Sequence, residues 1–382
     1  MTDNSHNPLN ILLIGEYSGL HNNLKQALQR LGHRVTLIAD GDFFKNFPAD
    51  LPLRRPGRSS FFESNKLLKV IYRTTQKVAT YFWLTEIIRS ISHYDVIQFI
   101  NYRVFYSIFE RRLIKEILTK HPCVILLGAG CDYDYKTYSR LLPYSPCATC
   151  VSYDQRWYAR CKHGDTTARD IQNLFSTHAK AILPTAYDYS YTLLRDERAR
   201  HVVRDIIPFP VPIDSYRQHE VGEHKKIVFF HPENREGFKG THLIRRVFER
   251  LSSERDSNAA FIIRGKMSFP DYLNFTDTVD VLVDQIYSQT YGMAATIALA
   301  QGKIVLSGME DRAREASPHL RACPVINIRP TEEDIYDAIL SLITLPRADL
   351  RLIGQHSRTF AANVHDAIHV ARQYENIYYE CI

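Results

Sequence analysis

Apolar residues fall in short blocks along this chain, separated by stretches of helical spacing. From Asn10 the run NILLIGEY is apolar and strand-prone and closes at Gly15; HNNLKQALQRLG then spaces its apolar residues three and four apart and stops at Gly32, and VTLIAD follows as a second strand. Strand, helix and strand at this spacing form the unit of a right-handed parallel crossover, so a doubly wound sheet is predicted from the N-terminus. DVIQFI from Asp95, CVILLG from Cys123 and AKAILPT from Ala179 extend it, with VFYSIFERRLIKEILTK as the crossover helix between the first two. The stretch IIPFPVPID, ending at Asp214, carries three prolines, which remove backbone donors and mark an interdomain connection. The pattern then restarts with KKIVFFHP, a helical THLIRRVFERLSS, strands AAFIIRG and DVLVDQ, a helix from Tyr291 to Gln301, the strand KIVLSG and a helical segment from Leu350 on. The expected fold is α/β: two doubly wound Rossmann-like domains, 1–214 and 215–382, facing across a cleft, with the last helix returning to the first domain. No internal repeat interrupts this order.

Composition agrees with that division, since 382 residues exceed the size at which one core keeps growing, and 45% hydrophobic with 24% charged residues is an ordinary globular balance. No stretch approaches eighteen consecutive apolar residues, and the polar start MTDNSHNPLN lacks the regions of a signal peptide, so a cytoplasmic protein is expected. A net charge of +6 suits anionic partners such as nucleotide phosphates or an acidic membrane surface and does not single out nucleic acid. Between Arg54 and Arg89, Arg54, Arg55, Arg58, Lys66, Lys69, Arg73 and Lys77 are interleaved with FF, IY and YFW. That segment reads either as a peripheral contact with an anionic membrane or as an ordinary helix with a solvated face.

Ligands of open parallel sheets bind beyond the C-terminal ends of the strands, which directs attention to three loops. The loop GEYSGLHNN holds Gly15, Tyr17, Ser18, Gly19, His21 and Asn22 just before a helix; its glycine spacing is G-x3-G, and it reads as a ligand-facing loop or a plain turn. In HPENREGFKGTHLI, Asn234, Arg235 and Lys239 stand beside Gly237 and Gly240, a pattern that suits a pyrophosphate or a solvated basic loop. In DQIYSQTYGMAATIALAQG, the amides around Gly292 and Met293 could meet a phosphate, and Ser288, Gln289, Thr290 and Tyr291 could meet sugar hydroxyls; the helix that follows has the apolar composition of core. Cys131, Cys147, Cys150 and Cys161, with His163 as a substitute ligand, would either complete a structural zinc site within an insertion at about 131–163 or stay free thiols. A redox pair is disfavoured, because this C-x-x-C follows YSP in a loop-like stretch. The neighbours His93 and Asp95, and His365, Asp366 and His369, read as structural.

Taken together, GEYSGLHNNLKQALQRLGHRVTLIADGD, NREGFKG and YGMAATIALAQGKIVLSG resemble bacterial glycosyltransferase family 4, which has the two-domain GT-B fold. The resemblance covers most of the chain and is weakest between Leu51 and Ser90 and in the Cys-rich middle. It implies a retaining hexosyltransferase that moves a sugar from a nucleotide-sugar donor to a glycan or lipid-linked acceptor in cell-surface polysaccharide synthesis, with no catalytic cofactor. By the same resemblance Arg235 and Lys239 stabilise the leaving diphosphate, Gln289 to Met293 form the donor-sugar and phosphate loop, and Gly15 to Asn22 face the cleft. Two departures matter: Gln289 and Ile297 stand where the family usually has two glutamates, and Ile100 and Asn101 where its fourth strand often ends in histidine. They keep two alternatives open, a nucleotide-sugar epimerase of the same fold and a catalytically silent sugar-nucleotide or glycan-binding protein. An NAD-dependent dehydrogenase is disfavoured, because neither domain shows the glycine fingerprint followed by an acidic residue.

Overall fold

The computed structural model describes residues 7–53, 66–105, 109–153, 161–223, 226–254 and 258–382. Six strands, β1 Asn10–Ile14, β2 Arg34–Ala39, β3 Leu51–Pro52, β4 Val96–Phe99, β5 Val124–Gly128 and β6 Ala181–Pro184, pair in parallel in the order β3-β2-β1-β4-β5-β6. Ile11 of β1 lies opposite both Val35 and Val96, which fixes the centre of the register. Every residue of β4, β5 and β6 is buried, a pattern that requires cover on both faces. Helices supply that cover with apolar residues one turn apart, such as Leu24, Ala27 and Leu28 in Leu20–Arg30 and Ile171 and Phe175 in Thr166–His178. The second of these starts where the Asp165 carboxylate accepts the Ala168 amide at 2.7 Å.

The second sheet has five parallel strands, β7 Ile227–Pro232, β8 Ala259–Arg264, β9 Val281–Val283, β10 Ile304–Ser307 and β11 Ile326–Asn327, in the order β11-β10-β9-β7-β8. One continuous buried cluster joins the first sheet to one face of the second, and a separate cluster fills the other face. The chain crosses between the sheets twice, and the two crossings are bonded to each other: the Val211 amide donates to the His365 carbonyl at 2.8 Å and the Ala367 amide to the Val211 carbonyl at 3.0 Å. Beyond the second crossing, helix Ala367–Cys381 lies against helix Leu20–Arg30 of the first sheet, where the Tyr378 hydroxyl donates to Gln98 at 2.8 Å.

The sequence pattern misses β3 and β11, which are two residues long and too short to alternate. It also misplaces the C-x-x-C pair, since Cys147 and Cys150 lie on helix Pro146–Tyr153, opened by a proline in its first turn. Arg54, Arg55 and Arg58 lie outside the described residues.

Candidate functional site

Strand order reverses between β1 and β4 in the first sheet and between β7 and β9 in the second, so the loops leaving these four strands frame a crevice. Gly15 ends β1 at φ +87°, and a Cβ there would stand 2.3 Å from Ile100 Cγ2, so only glycine lets the two first-domain loops meet. Glu16 folds the loop onto the following helix: Oε1 accepts the Gly19 amide at 2.9 Å, and Oε2 accepts the Asn22 amide and side-chain N–H at 2.8 and 2.7 Å. Burial lifts this carboxyl to about 7. His21 is fully buried, its Nδ1 donating to the Gly15 carbonyl at 2.7 Å and its Nε2 accepting from Gln98 at 3.1 Å, and burial pulls it down to about 3. His21 and Asn22 therefore build the loop and do not face the crevice, contrary to expectation, while Tyr17 and Ser18 stay half-buried at its rim. Asn101, at the position where the resemblance expects histidine, donates to the carbonyls of Ala129 and Cys131 at 2.7 and 3.3 Å and ties the loop after β4 to the loop after β5.

On the opposite side, Gly240 at φ +81° lets the loop after β7 lie on the loop after β9, where a Cβ would stand 2.3 Å from Ile286. Lys239 is half-buried and donates to Asp284 at 2.6 Å; that carboxylate is itself buried and fixes the direction of the ammonium. Arg235 is exposed, stacks its guanidinium 3.8 Å over the Phe238 ring and makes no ion pair among the described residues. Asn234 serves the backbone, accepting the Lys266 amide at 3.4 Å. Helix Met293–Ala300 begins at Gly292 with no side-chain cap, which leaves first-turn amides for an anion.

The polar residues before that helix are already engaged. Asp188, at the start of helix Tyr187–Leu193 in the first domain, is buried and accepts from Gln289 N at 2.9 Å, Thr290 N at 3.0 Å, Thr290 Oγ1 at 2.7 Å and Ser288 Oγ at 3.2 Å. Gln289 Nε2 donates to the Tyr144 carbonyl at 2.9 Å, and the Tyr144 hydroxyl donates to Glu310 at 2.6 Å. Burial would raise Glu310, but bonds from Arg329, Tyr144 and Asn327 hold it down at about 2. Tyr291 is buried and donates to His365 Nε2 at 2.8 Å. Ser288, Gln289, Thr290 and Tyr291 thus face protein groups, and the expectation that their side chains meet sugar hydroxyls is corrected for this conformation.

Cys131, Cys147, Cys150 and Cys161 are half-buried, and burial pushes Cys131 up to about 12. His163 Nδ1 is hydrogen-bonded to the Tyr102 hydroxyl at 2.9 Å. Among the described residues no group of three or more His, Cys, Asp or Glu is placed to hold a metal ion. His365 and Asp366 are structural: His365 joins the two crossings, and Asp366 caps the last helix by accepting the amides of Ile368 and His369, both at 3.0 Å. Sequence reasoning missed Glu16, Lys45 and Asp188. The first two lie two and six residues beyond strands, whereas nothing local marks Asp188, whose partners are about a hundred residues away.

No family model matches the chain, and no curated protein matches it in sequence. Solved structures match it over nearly its whole length. A glycosyltransferase from Rickettsia africae shares 13% identity at TM-score 0.59, with 98% of this chain and 99% of that one covered. The Anabaena protein HepE in complex with UDP and glucose shares 12% at 0.60, covering 97% and 100%. Sucrose-phosphate synthase from Thermosynechococcus elongatus shares 12% at 0.63, covering 97% and 98%. At such identities the likeness is one of fold, and the fold is GT-B.

Proposed function

We propose that this protein is a glycosyltransferase that moves a sugar from a nucleotide-sugar donor to a glycan or lipid-linked acceptor in the crevice between its domains. In our reading the sugar is a hexose and its anomeric configuration is retained. The observation that carries the reading is that the loop with Arg235 and Lys239 and the loop leading to the uncapped start of helix Met293–Ala300 leave β7 and β9, the two strands at the strand reversal of the second sheet. In the transfer the bond from the anomeric carbon to the diphosphate oxygen breaks and its electron pair leaves with the diphosphate; the acceptor oxygen forms the new bond and releases its proton. Charge growing on the leaving oxygens would meet the Arg235 guanidinium and the Lys239 ammonium, with Asp284 holding the latter in place. That HepE, of the same fold, is seen with UDP and glucose supports the choice of donor. Nucleotide-sugars screened by thermal shift identify the donor, and the variant carrying Arg235→Ala and Lys239→Ala is expected to bind it about tenfold more weakly, a loss of about 1.4 kcal/mol. Normal donor binding and turnover by that variant would exclude the reading.

The acceptor side extends it. Helix Lys66–Arg89 seats Leu84 and Ile88 in the core and turns Leu67, Val70, Ile71 and Phe82 outward, 49–67% exposed. No helix of the described residues is long and apolar enough to cross a membrane. We read this face as a peripheral contact with an anionic bilayer, the apolar side chains entering the headgroup boundary near Arg73 and Lys77. Co-sedimentation with phosphatidylglycerol vesicles is expected to fall about fivefold in the variant carrying Val70→Glu and Ile71→Glu, since each buried CH2 lost removes about 0.8 kcal/mol. Equal sedimentation of variant and parent would reject the contact.

A further inference from the structure

Five described residues other than glycine have positive φ, and four of them, Ser18 at 57°, Asp42 at 54°, Phe43 at 61° and Asn46 at 57°, sit in the loops after β1 and β2. Such angles press Cβ against the backbone, and for phenylalanine no short polar side chain offsets the cost. Strain gathered in two neighbouring loops persists only where the surroundings impose it, and here the surroundings aim one side chain. The single-turn helix Phe43–Lys45, with left-handed residues at both ends, delivers the Lys45 ammonium to the loop after β1, where Nζ donates to Ser18 Oγ at 2.7 Å and to Asp42 Oδ2 at 2.5 Å. The same Asp42 oxygen accepts the Ser18 amide at 2.8 Å and locks the two loops together. Just beyond the turn, the Phe47 ring meets Phe269 of the second domain at 4.7 Å between centroids, which holds this corner against the opposite side of the crevice.

Lys45 is 22% exposed and stands within electrostatic reach of Arg235 and Lys239. Burial lowers its pKa, Asp42 restores part of the loss, and the two cations across the gap lower it again. The corner therefore gathers three cations around two carboxylates, Asp42 and Asp284. Two of the three ammonium N–H groups of Lys45 go to Ser18 and Asp42, and the third has no partner among the described residues and can meet a ligand. A nucleoside diphosphate would supply the missing negative charge and accept that N–H.

We infer that Lys45 is a third cation of the donor site, supplied by the first domain, so that the terminal phosphate of the donor diphosphate is gripped from both sides of the crevice. This rests on the glycosyltransferase reading above and adds a specificity to it. Arg235 and Lys239 hold the diphosphate from one domain, while Lys45 senses whether the second phosphate is present.

The test is titration of the whole protein with UDP, GDP and ADP, each against its monophosphate, for the parent, Lys45→Gln, Lys45→Arg and the variant carrying Arg235→Ala and Lys239→Ala. For the best-bound base, Lys45→Gln is expected to weaken the diphosphate about tenfold and the monophosphate less than about twofold, because only the former reaches the first domain, and Lys45→Arg is expected to keep most of the preference. Raising salt should weaken the diphosphate less in Lys45→Gln than in the parent. If Lys45→Gln weakens both nucleotides equally, or neither, the inference is overturned while the donor site of the second domain stands. If the Arg235 and Lys239 variant also binds every nucleotide like the parent, the glycosyltransferase reading fails, and the inference fails with it. Circular dichroism confirms that each variant is folded; should Lys45→Gln lose its fold, Ser18→Ala, which leaves the charge and removes one tether, must narrow the preference for the diphosphate or the inference is overturned.

Discussion

Replacing Asp188 by alanine is expected to destabilise the protein by about 2–5 kcal/mol and to let its domains part, because four donors of the second domain lose one buried acceptor. Two of those donors, the amides of Gln289 and Thr290, belong to the backbone and cannot turn to another partner without moving the loop. Burial raises the Asp188 pKa while the bonds from Gln289, Thr290 and Ser288 lower it again, so the carboxylate depends on the closed arrangement as much as the arrangement depends on it. Asp188→Asn keeps the shape but turns an N–H group toward amides that also donate, and should do nearly as much damage. Urea unfolding gives the energy, and the radius of gyration from solution scattering reports the separation. An Asp188→Ala protein within about 1 kcal/mol of the parent and equally compact would show that the contact holds nothing together. The same carboxylate occupies amides that the resemblance gives to the donor, so opening of the crevice becomes a condition for using them.

How far the sequence speaks for this structure depends on the reach of each interaction. The long strands and the helices of Leu24 and Leu113 were legible because their apolar spacing is local and repeats. The place of Arg235 and Lys239 in the loop after β7 was legible because that loop and the strand before it lie within one run of residues. His21 was misassigned, since its partner Gln98 is 77 residues away and turns an apparent crevice histidine into a buried strut. The departures from the family pattern acquire a physical reason only with the fold. At 289 a glutamate could not donate to the Tyr144 carbonyl, whereas glutamine donates at 2.9 Å. At 297 the side chain is buried within an apolar helix, where an ionised glutamate would go unpaired and isoleucine packs. Neither substitution has a counterpart in its own neighbourhood of the chain, so spacing could not explain them.

Asp134→Asn should stabilise the protein by several kcal/mol, up to about 5 kcal/mol, at pH 8 and make no difference near pH 4. Asp134 follows β5 and is buried, with Oδ2 accepting Gln172 Nε2 at 2.9 Å. Its other oxygen and Gln172 Oε1 are both buried without a hydrogen-bond partner among the described residues. A proton on Asp134 resolves both at once, because the carboxylic acid can donate to Gln172 Oε1 while it accepts from Nε2. The surroundings favour that proton: burial first, then the carboxylates of Asp132 and Asp196, lift the group to about 8 against a weaker pull from Gln172 and Arg198. The sign follows from linkage. Between about pH 4 and pH 8 the unfolded chain has released this proton and the folded chain still holds it, so stability falls as pH rises, at up to about 1.4 kcal/mol per unit. Asparagine has no proton to lose and can pair with Gln172 through both its oxygen and its amide. The difference between variant and parent should therefore grow across that window and level off above it, whatever Glu16 contributes, since both proteins keep it. Thermal unfolding at intervals of pH measures it; two curves that stay parallel from pH 4 to pH 8 would mean that Asp134 is ionised in the folded protein and that its orphaned oxygen is satisfied in some other way.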